Sequence, residues 1–450
     1  MTEHAPATHD LLAQLIRFDT SNPPGNESAC IDYIEEILRD AGASTTKVAK
    51  DPARPNLIAR VPGRGEAPPL LLYGHVDVVR ADPRRWTYPP FDGAIHDGWV
   101  WGRGALDMKG GVAMMVTAIL RAINLGVKPA GDVILLCLAD EEAGGRYGAR
   151  FIVEEHPDEL ADVRHAIGEF GGVPLSIAGR RFYAIQVAEK KPCWMEATIR
   201  GRAGHGAKPM RGGAMAKLGA VLSALDRARL PIHVTPVGRA MIEAVAAHLP
   251  WPRGALLRLL LVPRLTGLIL SRLGAPGRDL EALFRNTVNA TIVRGGEKAN
   301  VIPNEITLGL DARILPGLDV DDLLDELRPV LGSDADLDVL LYDPASFAPD
   351  YGLFDRLGRI LVELDPSAVS IPLLLPGSTD ARFFAEIGIQ TYGFTPMNLP
   401  EGFDFFSTIH GADERVPIDA LEFGTKAILR LIETYDGPAS KGELEVRVEE

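Results

Sequence analysis

Two apolar runs in the first third of the chain each end in a cluster of ionisable side chains. Residues 70–79 read LLLYGHVDVV, and residues 133–139 are followed by DEEAGG. Apolar runs without alternation are typical of parallel strands that are buried on both faces. Between the two runs, apolar residues recur at helical spacing over residues 109–124. The order strand, helix, strand predicts a crossover unit within a parallel sheet.

The flanking sequence extends this pattern toward both ends of the chain. Amphipathic spacing predicts helices over residues 11–18 and 27–41, and a short strand is predicted at residues 56–61, as the neighbour of the first apolar run. Another short strand begins at His165, and the last helix is predicted over residues 418–435. We therefore expect an α/β domain with a mostly parallel sheet flanked by helices.

The pattern changes between residues 182 and 344. Strand-like segments and amphipathic helices follow one another as strand, helix, two strands, helix and strand, at residues 194–201, 215–227, 286–294, 305–313, 320–331 and 336–341. This order is that of a small α+β sandwich with one four-stranded antiparallel sheet. A Leu-, Arg- and Pro-rich expansion, residues 231–283, is larger than such a connection needs. We interpret it as extra helices that cover a surface or line a pocket.

The second pattern reads as an α+β domain inserted into the α/β domain. The expected divisions are residues 1–188 for the first part of the α/β domain, 189–345 for the insert and 346–437 for the second part. Residues 438–450 are charged and are expected to form a frayed tail. A length of 450 residues agrees with two domains, because it exceeds the size of one simple core.

Composition and charge narrow the classes of partner and site. The formal net charge of -14 argues against nucleic-acid binding, which needs clustered Lys and Arg. Cys30, Cys137 and Cys193 are far apart and lack CxxC spacing, so neither a disulfide framework nor a thiolate zinc site is indicated. Any metal site must therefore use histidines and carboxylates.

No secretory or membrane segment is predicted. The first ten residues are polar, without a basic segment followed by an apolar core, so a cytoplasmic location is the default expectation. The most apolar window, residues 256–270, is interrupted by Arg258, Pro263 and Arg264 and is too short to span a bilayer as a clean helix. We interpret it as a buried or partner-facing helical segment, and we expect no membrane contact.

Candidate chemistry lies at the carboxyl ends of the predicted strands, where open α/β sheets place their active sites. His75 and Asp77 project to the same side of the first strand, so one can ligate a metal while the other orients it. The alternative is a core histidine followed by a loop cap. Asp107 lies just ahead of a predicted helix, where a carboxylate can also act as a simple cap.

Adjacent acids at the end of the second apolar strand add to this cluster. Glu142 can bind a metal while Glu141 faces the substrate as a general base, although a solvated acidic turn is the alternative. Glu169 follows another short strand, and His410 near the carboxyl terminus supplies a second histidine. Oxygen and nitrogen ligands of this kind suit zinc, cobalt or manganese in a pair bridged by a carboxylate.

An ordered set of motifs covers nearly the whole chain. The motifs are GHVDVV, GRGALDMKGG, ADEEAGG, IGEFGG, GRAGHGAKP, KANVIPNE, DAR, GSTDARFF and HGADERV. Together they resemble the aminoacylase and carboxypeptidase family of dinuclear zinc exopeptidases, which includes succinyl-diaminopimelate desuccinylase and acetylornithine deacetylase. The resemblance implies a catalytic domain interrupted by a lid domain that mediates homodimerisation.

The resemblance also implies roles for individual residues. One zinc ion would be held by His75, Asp107 and Glu169, and a second by Asp107, Glu142 and His410. Glu141 matches the general base, Asp77 the residue that orients His75, and His205 a lid histidine that reaches the partner subunit's active site and polarises the scissile carbonyl. Residues matching the substrate side are Asn300, Arg313, Gly377, Ser378, Thr379 and Arg382. For Arg313 a lid salt bridge to Asp311 is the alternative, and for His205 a surface-loop position.

The implied function is a metal-dependent amidohydrolase or exopeptidase that cleaves N-acyl amino acids or small peptides with a free carboxylate. One rival is a receptor or regulatory protein that has kept the fold but lost the chemistry, yet neither the base nor any metal ligand is missing. Another is a nucleotide-dependent α/β enzyme, but no GxGxxG or P-loop follows a strand. The expansion at residues 231–283 departs from the compact lids of the family and resembles the carboxypeptidase S-like branch.

Overall fold

The computed structural model describes residues 6–344 and 349–437, and these form two compact units. The expected tail at residues 438–450 and the expected boundary at 345/346 lie outside the described residues. Within them, the first unit contains residues 6–187, 349–373 and 379–437, and the second contains residues 188–344 and 374–378.

Strands and helices are numbered in chain order. The strands are β1 (Ser44–Val48), β2 (Asn56–Val61), β3 (Leu70–His75), β4 (Ala94–His96), β5 (Trp99–Trp101), β6 (Val133–Leu138), β7 (His165–Gly168), β8 (Val173–Ile177), β9 (Arg180–Glu189), β10 (Lys191–Arg200), β11 (Gly204–His205), β12 (Thr287–Gly295), β13 (Val301–Ile302), β14 (Glu305–Ile314), β15 (Asp336–Tyr342), β16 (Ser370–Leu375), β17 (Gln390–Gly393) and β18 (Arg415–Pro417). The helices are α1 (Thr8–Ile16), α2 (Ser28–Asp40), α3 (Lys109–Asn124), α4 (Ala149–Glu155), α5 (Ala214–Arg227), α6 (Pro236–Ala247), α7 (Arg253–Arg258), α8 (Pro263–Arg272), α9 (Ala275–Glu281), α10 (Val320–Leu331), α11 (Phe354–Leu364), α12 (Ala381–Glu386), α13 (Phe405–Thr408) and α14 (Ile418–Thr434).

The first unit is built on a nine-stranded sheet with a parallel centre. Strand β3 lies between β6 and β7 and is parallel to both, and β17 continues the parallel run beside β7. Antiparallel pairs flank this centre, with β1 and β2 on one side and β9 on the other. The predicted α/β class is confirmed, with a sheet that is mixed rather than uniformly parallel.

One expected neighbour relation is wrong. Strand β2 pairs with β6 and not with β3, because both edges of β3 are already occupied by β6 and β7. The apolar runs are continuous for the expected reason: every residue of β3 and of β6 is buried. Helices α1 and α14 pack against the long helix α3, and α4 packs against α12.

The second unit contains the predicted four-stranded antiparallel sheet, in the order β12, β14, β10, β15. Strand β14 alternates between buried and more exposed residues, as expected for a sheet with one face on a core. Helices α5 and α10 contribute Leu218, Val221, Leu323 and Leu327 to that core. The expansion is helical, as expected, and consists of helices α6 to α9.

Candidate metal centre

Three adjacent strands of the first unit end at one edge of the sheet and deliver ionisable side chains there. His75 is the last residue of β3, Glu169 follows β7, and Glu141 and Glu142 follow β6 in a short 3₁₀ turn. Helix α3 starts two residues after Asp107 and approaches β3 closely at Gly74. A Cβ atom at Gly74 would lie 2.7 Å from Met108 Cε and 2.9 Å from Val112 Cγ2 of α3, so a larger residue here would force these side chains to shift.

The first candidate ligand group consists of His75, Asp107 and Glu169, and all three side chains are buried. His75 Nε2 lies 3.1 Å from Asp107 Oδ1 and 3.4 Å from Glu169 Oε2. The other ring nitrogen, Nδ1, lies 2.9 Å from the Asp77 carbonyl oxygen. If Nδ1 donates to that carbonyl, Nε2 carries the lone pair that a metal would bind.

The second group consists of Asp107, Glu142 and His410. His410 Nε2 lies 3.2 Å from Asp107 Oδ2 and 3.1 Å from Glu142 Oε1. Asp107 therefore belongs to both groups and presents a different carboxylate oxygen to each histidine. This is the arrangement that a carboxylate bridging two cations requires.

The donor set and its electrostatics fit divalent cations. Burial raises the pKa of Glu169 to about 8, and within the described part of the chain neither of its oxygens has a well-formed hydrogen bond. Burial also raises the pKa of Glu141 well above its ordinary value, and the neighbouring Glu169 carboxylate adds to this effect. Crowded, desolvated carboxylates of this kind are stabilised by positive charge.

The Asp77 carboxylate contacts several groups in addition to His75. Its Oδ1 lies 3.5 Å from His75 Nδ1, whereas its carboxylate accepts hydrogen bonds from the backbone N–H groups of Glu141 and Glu142, at 3.1 and 3.2 Å. Asn22 donates to Asp77 Oδ2 at 2.8 Å. Asp77 thus connects the end of β3 to the turn that carries both glutamates.

A buried ion-pair network supports the same turn from behind. Asp140 has a left-handed backbone conformation with φ of 70°, and its Oδ1 accepts from Arg54 Nη1 at 2.8 Å and from Asn22 Nδ2 at 3.1 Å. Arg54 also pairs with the fully buried Glu27 at 2.6 Å. Because each buried charge has a partner, the network can hold the turn without an isolated charge.

A second buried ion pair, between Arg103 and Glu414, contacts the backbone at two other candidate ligands, Asp107 and His410. Glu414 Oε1 accepts from the N–H groups of Leu106 and Asp107, at 2.8 and 3.1 Å. Its Oε2 accepts from Arg103 at 2.6 Å, and Arg103 also donates to the His410 carbonyl at 3.1 Å. The Arg103–Glu414 pair therefore positions Asp107 and His410 together.

Sequence reasoning missed several of these groups. The sequence predicts no role for Asn22, nor for Arg103 and Glu414, although the last two lie in the motifs quoted above. Asp380, in GSTDARFF, is 1% exposed, and within the described chain neither of its carboxylate oxygens has a hydrogen-bond partner. Burial raises its pKa to about 7, and its charge raises the pKa of Glu141 and Glu169. For Arg103, Glu414 and Asp380 the one available signal is their position inside the quoted motifs, and Asn22 lies in none of them.

The second unit brings His205 and Asn300 together. Strands β11 and β13 pair with His205 opposite Val301, and the Gly206 N–H donates to the Asn300 carbonyl at 2.8 Å. His205 is exposed, and its Nδ1 accepts from the Ala207 N–H at 3.1 Å. In the neutral ring the proton is then on Nε2, which is free to act as a hydrogen-bond donor.

Arg313 is also in the second unit and shows the alternative contact raised for it. Its guanidinium pairs with both carboxylate oxygens of Asp311, at 2.9 and 3.2 Å, and donates to Ser378 Oγ at 2.9 Å. Gly377 lies in the same loop as Ser378. In this structure, therefore, Arg313 and Ser378 are joined directly.

Thr379 and Arg382 belong to the first unit and are buried. Thr379 Oγ1 accepts from the Ala381 N–H, and the Thr379 carbonyl accepts from Arg382 Nη1 at 2.7 Å. The Arg382 guanidinium stacks on the Phe383 ring, 4.3 Å from its centroid. These contacts tie both residues to the start of α12.

Comparison with known proteins finds one matching family and several relatives that are similar in sequence. The sequence profile described as peptidase family M20/M25/M40 matches residues 71–434. The chain is 28% identical over 377 residues to N-fatty-acyl-amino acid synthase/hydrolase PM20D1 of Xenopus tropicalis, covering 82% of this chain and 72% of that protein. It is 28% identical over 442 residues to succinyl-diaminopimelate desuccinylase of Paracoccus denitrificans, covering 96% and 98%.

Solved structures show the same fold at lower identity. The M20 family metallo-carboxypeptidase Sso-CP2 from Sulfolobus solfataricus superposes with a TM-score of 0.69 at 17% identity, covering 96% of this chain and 99% of that chain. A dinuclear metal binding peptidase of the M20 family from Bacillus subtilis superposes with a TM-score of 0.60 at 16% identity, covering 95% and 98%.

Proposed function

Because the chain belongs to peptidase family M20/M25/M40, we propose that it is a metal-dependent amidohydrolase that cleaves the amide bond of N-acyl amino acids or small peptides with a free carboxylate. The observation that carries this proposal is the pair of ligand groups that share Asp107 beside Glu141. The alternative of a catalytically silent homologue has no support, since both ligand groups and the candidate base are present.

His75, Asp107 and Glu169 would hold one divalent ion and Asp107, Glu142 and His410 a second, with zinc proposed first and cobalt or manganese as alternatives. Two such ions would lower the pKa of a water molecule toward neutrality and polarise a carbonyl. Asp77 would position members of both groups, because its carbonyl contacts His75 and its carboxylate accepts from the N–H groups of Glu141 and Glu142.

Glu141 is the proposed general base. Burial and the Glu169 carboxylate raise its pKa, so its carboxylate readily accepts the proton that the attacking water loses. The same proton then passes from Glu141 to the nitrogen of the leaving amine, which must be protonated as the C–N bond breaks. One residue thus serves as base in the first step and as acid in the second.

The proposed substrate contacts lie mainly on the second unit. His205 would donate from Nε2 to the scissile carbonyl, as its tautomer allows. Arg313 would exchange Asp311 for the substrate carboxylate, since a guanidinium can engage both oxygens of either partner. The other proposed substrate contacts are Asn300, Gly377, Ser378, Thr379 and Arg382, and Arg382 donates to the Thr379 carbonyl.

The acyl group is proposed to be hydrophobic. The PM20D1 relative is named for N-fatty-acyl amino acids, and this chain carries the apolar helices α6 to α9 in its second unit. We further propose that the second unit acts as a lid and joins two chains in a homodimer, as the family resemblance implies.

Metal content and turnover together test the proposal. Protein saturated with zinc should contain about two ions per chain by elemental analysis and should hydrolyse N-acyl amino acids. A chelator should abolish turnover, and zinc, cobalt or manganese should restore it. A matched protein with His75→Asn should lose metal in the same assay. Absence of bound metal at saturating supply would contradict the proposed centre.

A further inference from the structure

The expansion buries part of its apolar residues and presents others to solvent. Trp251 is 86% exposed and Leu268 is 50% exposed, and other exposed members of the same stretch are Leu256, Leu259, Val262, Leu265 and Leu273. Singly exposed apolar residues are ordinary, but seven of them within one short stretch indicate an interaction surface. Residues 256–270 are expected to be buried or partner-facing: Leu260, Leu261 and Leu270 are buried, and the exposed residues of this window leave only the partner-facing alternative for themselves.

The charge of this stretch is opposite to that of the whole chain. Between Glu243 and Asp279 the sequence has arginines at positions 253, 258, 264, 272 and 278 and no acidic residue, whereas the chain carries a net charge of -14. Arg258 pairs with Glu243 at 2.7 Å. Within the described residues, Arg253, Arg264 and Arg272 form no ion pair.

Helix α8 shows how the two kinds of side chain are combined. Arg264, Leu268 and Arg272 are spaced by four residues, and Leu265 and Arg272 by seven, so they share one face of the helix. All four are exposed, whereas Thr266 and Leu270 are buried on the other side. An exposed helix face of leucine and arginine is typical of helices that lie in a membrane interface.

We propose that this apolar–basic surface, defined by Trp251, Leu256, Leu259, Val262, Leu265, Leu268 and Leu273 with Arg253, Arg264 and Arg272, docks on the surface of an anionic lipid bilayer. The leucines and the tryptophan enter the headgroup region, while the arginines contact lipid phosphates and keep their charged ends in water. The inference goes beyond the proposed hydrolase function and does not depend on it, and it replaces the expectation of no membrane contact.

Docking at the surface agrees better with the structure than does spanning. Among the described residues no single helix is long and apolar enough to cross a bilayer. Two consecutive helical segments, Arg253–Leu261 and Pro263–Arg272, are long and apolar enough only when they are taken together, and they are bent by 119° relative to each other. A helix pair that turns back at Pro263 and carries arginines along its length instead suits shallow insertion.

Charge also distinguishes a bilayer from a second copy of the chain. In a two-fold interface the same surface patch meets itself, so both sides of the interface would carry arginines and neither would supply a carboxylate from this stretch. Like charges across an interface are unfavourable. An anionic lipid surface supplies the missing negative charge.

Vesicle co-sedimentation of the full-length protein tests the proposal. The probes are vesicles of pure phosphatidylcholine and vesicles of equal parts phosphatidylcholine and phosphatidylglycerol. We expect binding to the mixed vesicles to be about tenfold stronger or more, and to weaken as salt is raised, because surface charges are screened. Trp251 fluorescence should shift to shorter wavelength on binding, and Trp251→Phe should remove that shift.

Two variants separate the apolar and the basic contributions. Leu265→Ser with Leu268→Ser, and Arg253→Gln with Arg264→Gln and Arg272→Gln, should each weaken binding by about tenfold or more. The matched controls are Leu125→Ser with Leu340→Ser, which are exposed leucines elsewhere, and Arg39→Gln with Arg84→Gln and Arg359→Gln. The controls should bind like the unchanged protein, and circular dichroism should show that all variants are folded.

Two results would overturn the proposal. The first is that the unchanged protein fails to sediment with mixed vesicles, and the second is that test and control variants weaken binding equally. If, with the first result, light scattering also shows an oligomer that the double serine variant dissociates, the surface joins copies of the chain instead.

Discussion

Glu141 and Glu142 are neighbours in the chain, but their surroundings differ. Glu142 contacts His410 at 3.1 Å, whereas Glu141 is in neither ligand group. Replacing Glu141 with Gln should therefore leave both metal ions bound and lower kcat by about 10²- to 10⁴-fold, the usual contribution of a general base. Steady-state kinetics and elemental analysis of the same preparation provide the measurement.

The matched control for this substitution is Glu142→Gln, one residue along. It should reduce metal content, because it alters a proposed ligand. If Glu141→Gln retains a near-normal rate with full metal content, the base is another residue. The next candidate for the base would then be Asp380, the buried carboxylate whose charge raises the pKa of Glu141.

Lys190 allows a prediction about stability that is independent of the metal centre. It is fully buried, and its ammonium group donates to the Arg285 carbonyl at 2.9 Å and to Thr287 Oγ1 at 3.1 Å. Burial, with a smaller contribution from the Arg313 charge, lowers its pKa from 10.5 to about 7. Between these two pH values the unfolded chain binds a proton that the folded protein does not.

Stability should therefore rise with pH across this window. Relative to Lys190→Met, the free energy of unfolding of the unchanged protein should increase by about 1.4 kcal/mol per pH unit above pH 7. Urea unfolding of both proteins at pH 7, 8 and 9 measures this difference. Lys128→Met, at an exposed site, serves as the control. A difference that does not change with pH would show that Lys190 remains charged when folded.

At the scale of elements, the sequence predicts best where apolar residues recur at a regular spacing over a long segment. Helices α3 and α10 begin and end at the predicted residues, and the four strands of the second unit's sheet are predicted to within a few residues. Strands β4, β5 and β18 have three residues each and are too short to show a period. Strand β16, SIPLLL, has no alternation and contains a proline, which argues against a strand.

The part of the site that could be predicted is also the part that is visible in the local sequence pattern. Side chains at the ends of apolar strands, such as His75 and Glu169, are visible in the local pattern. The contacts of Asn22 with Asp77 and of Glu414 with Asp107 join residues 55 and 307 positions apart. Sequence periodicity carries no information about such pairings, and the exposure of Trp251 likewise depends on how the expansion packs.

The helices of the expansion lead to a prediction about specificity. If they contribute to binding of the acyl group, kcat/KM should rise with acyl chain length in a series of N-acyl derivatives of one amino acid. Each methylene that becomes buried contributes about 0.8 kcal/mol, or roughly fourfold. An N-succinyl derivative of the same amino acid controls for an acidic acyl group. Equal kcat/KM values across the series would contradict the prediction.

At the scale of the whole molecule, the proposed mechanism places Glu141 and His205 on different units. An exposed histidine between glycines, with Nε2 free to donate, acts on a substrate only if some arrangement of units brings it to the metal centre. Lid closure within one chain would do this, and so would dimerisation. The family resemblance favours dimerisation, in which each active site uses a histidine from the partner chain.

Mixing two inactive variants distinguishes these arrangements. His205→Ala and Glu141→Gln are each expected to be nearly inactive. If the histidine acts across a dimer, one site of each mixed dimer combines an intact Glu141 with an intact His205, so activity should return to one site in two. Mixing Glu141→Gln with a chain that carries both substitutions is the control, and it should stay inactive because no site in that mixture has its base and its histidine together. If labelled subunits exchange and the first mixture also stays inactive, His205 acts within its own chain or has no catalytic role.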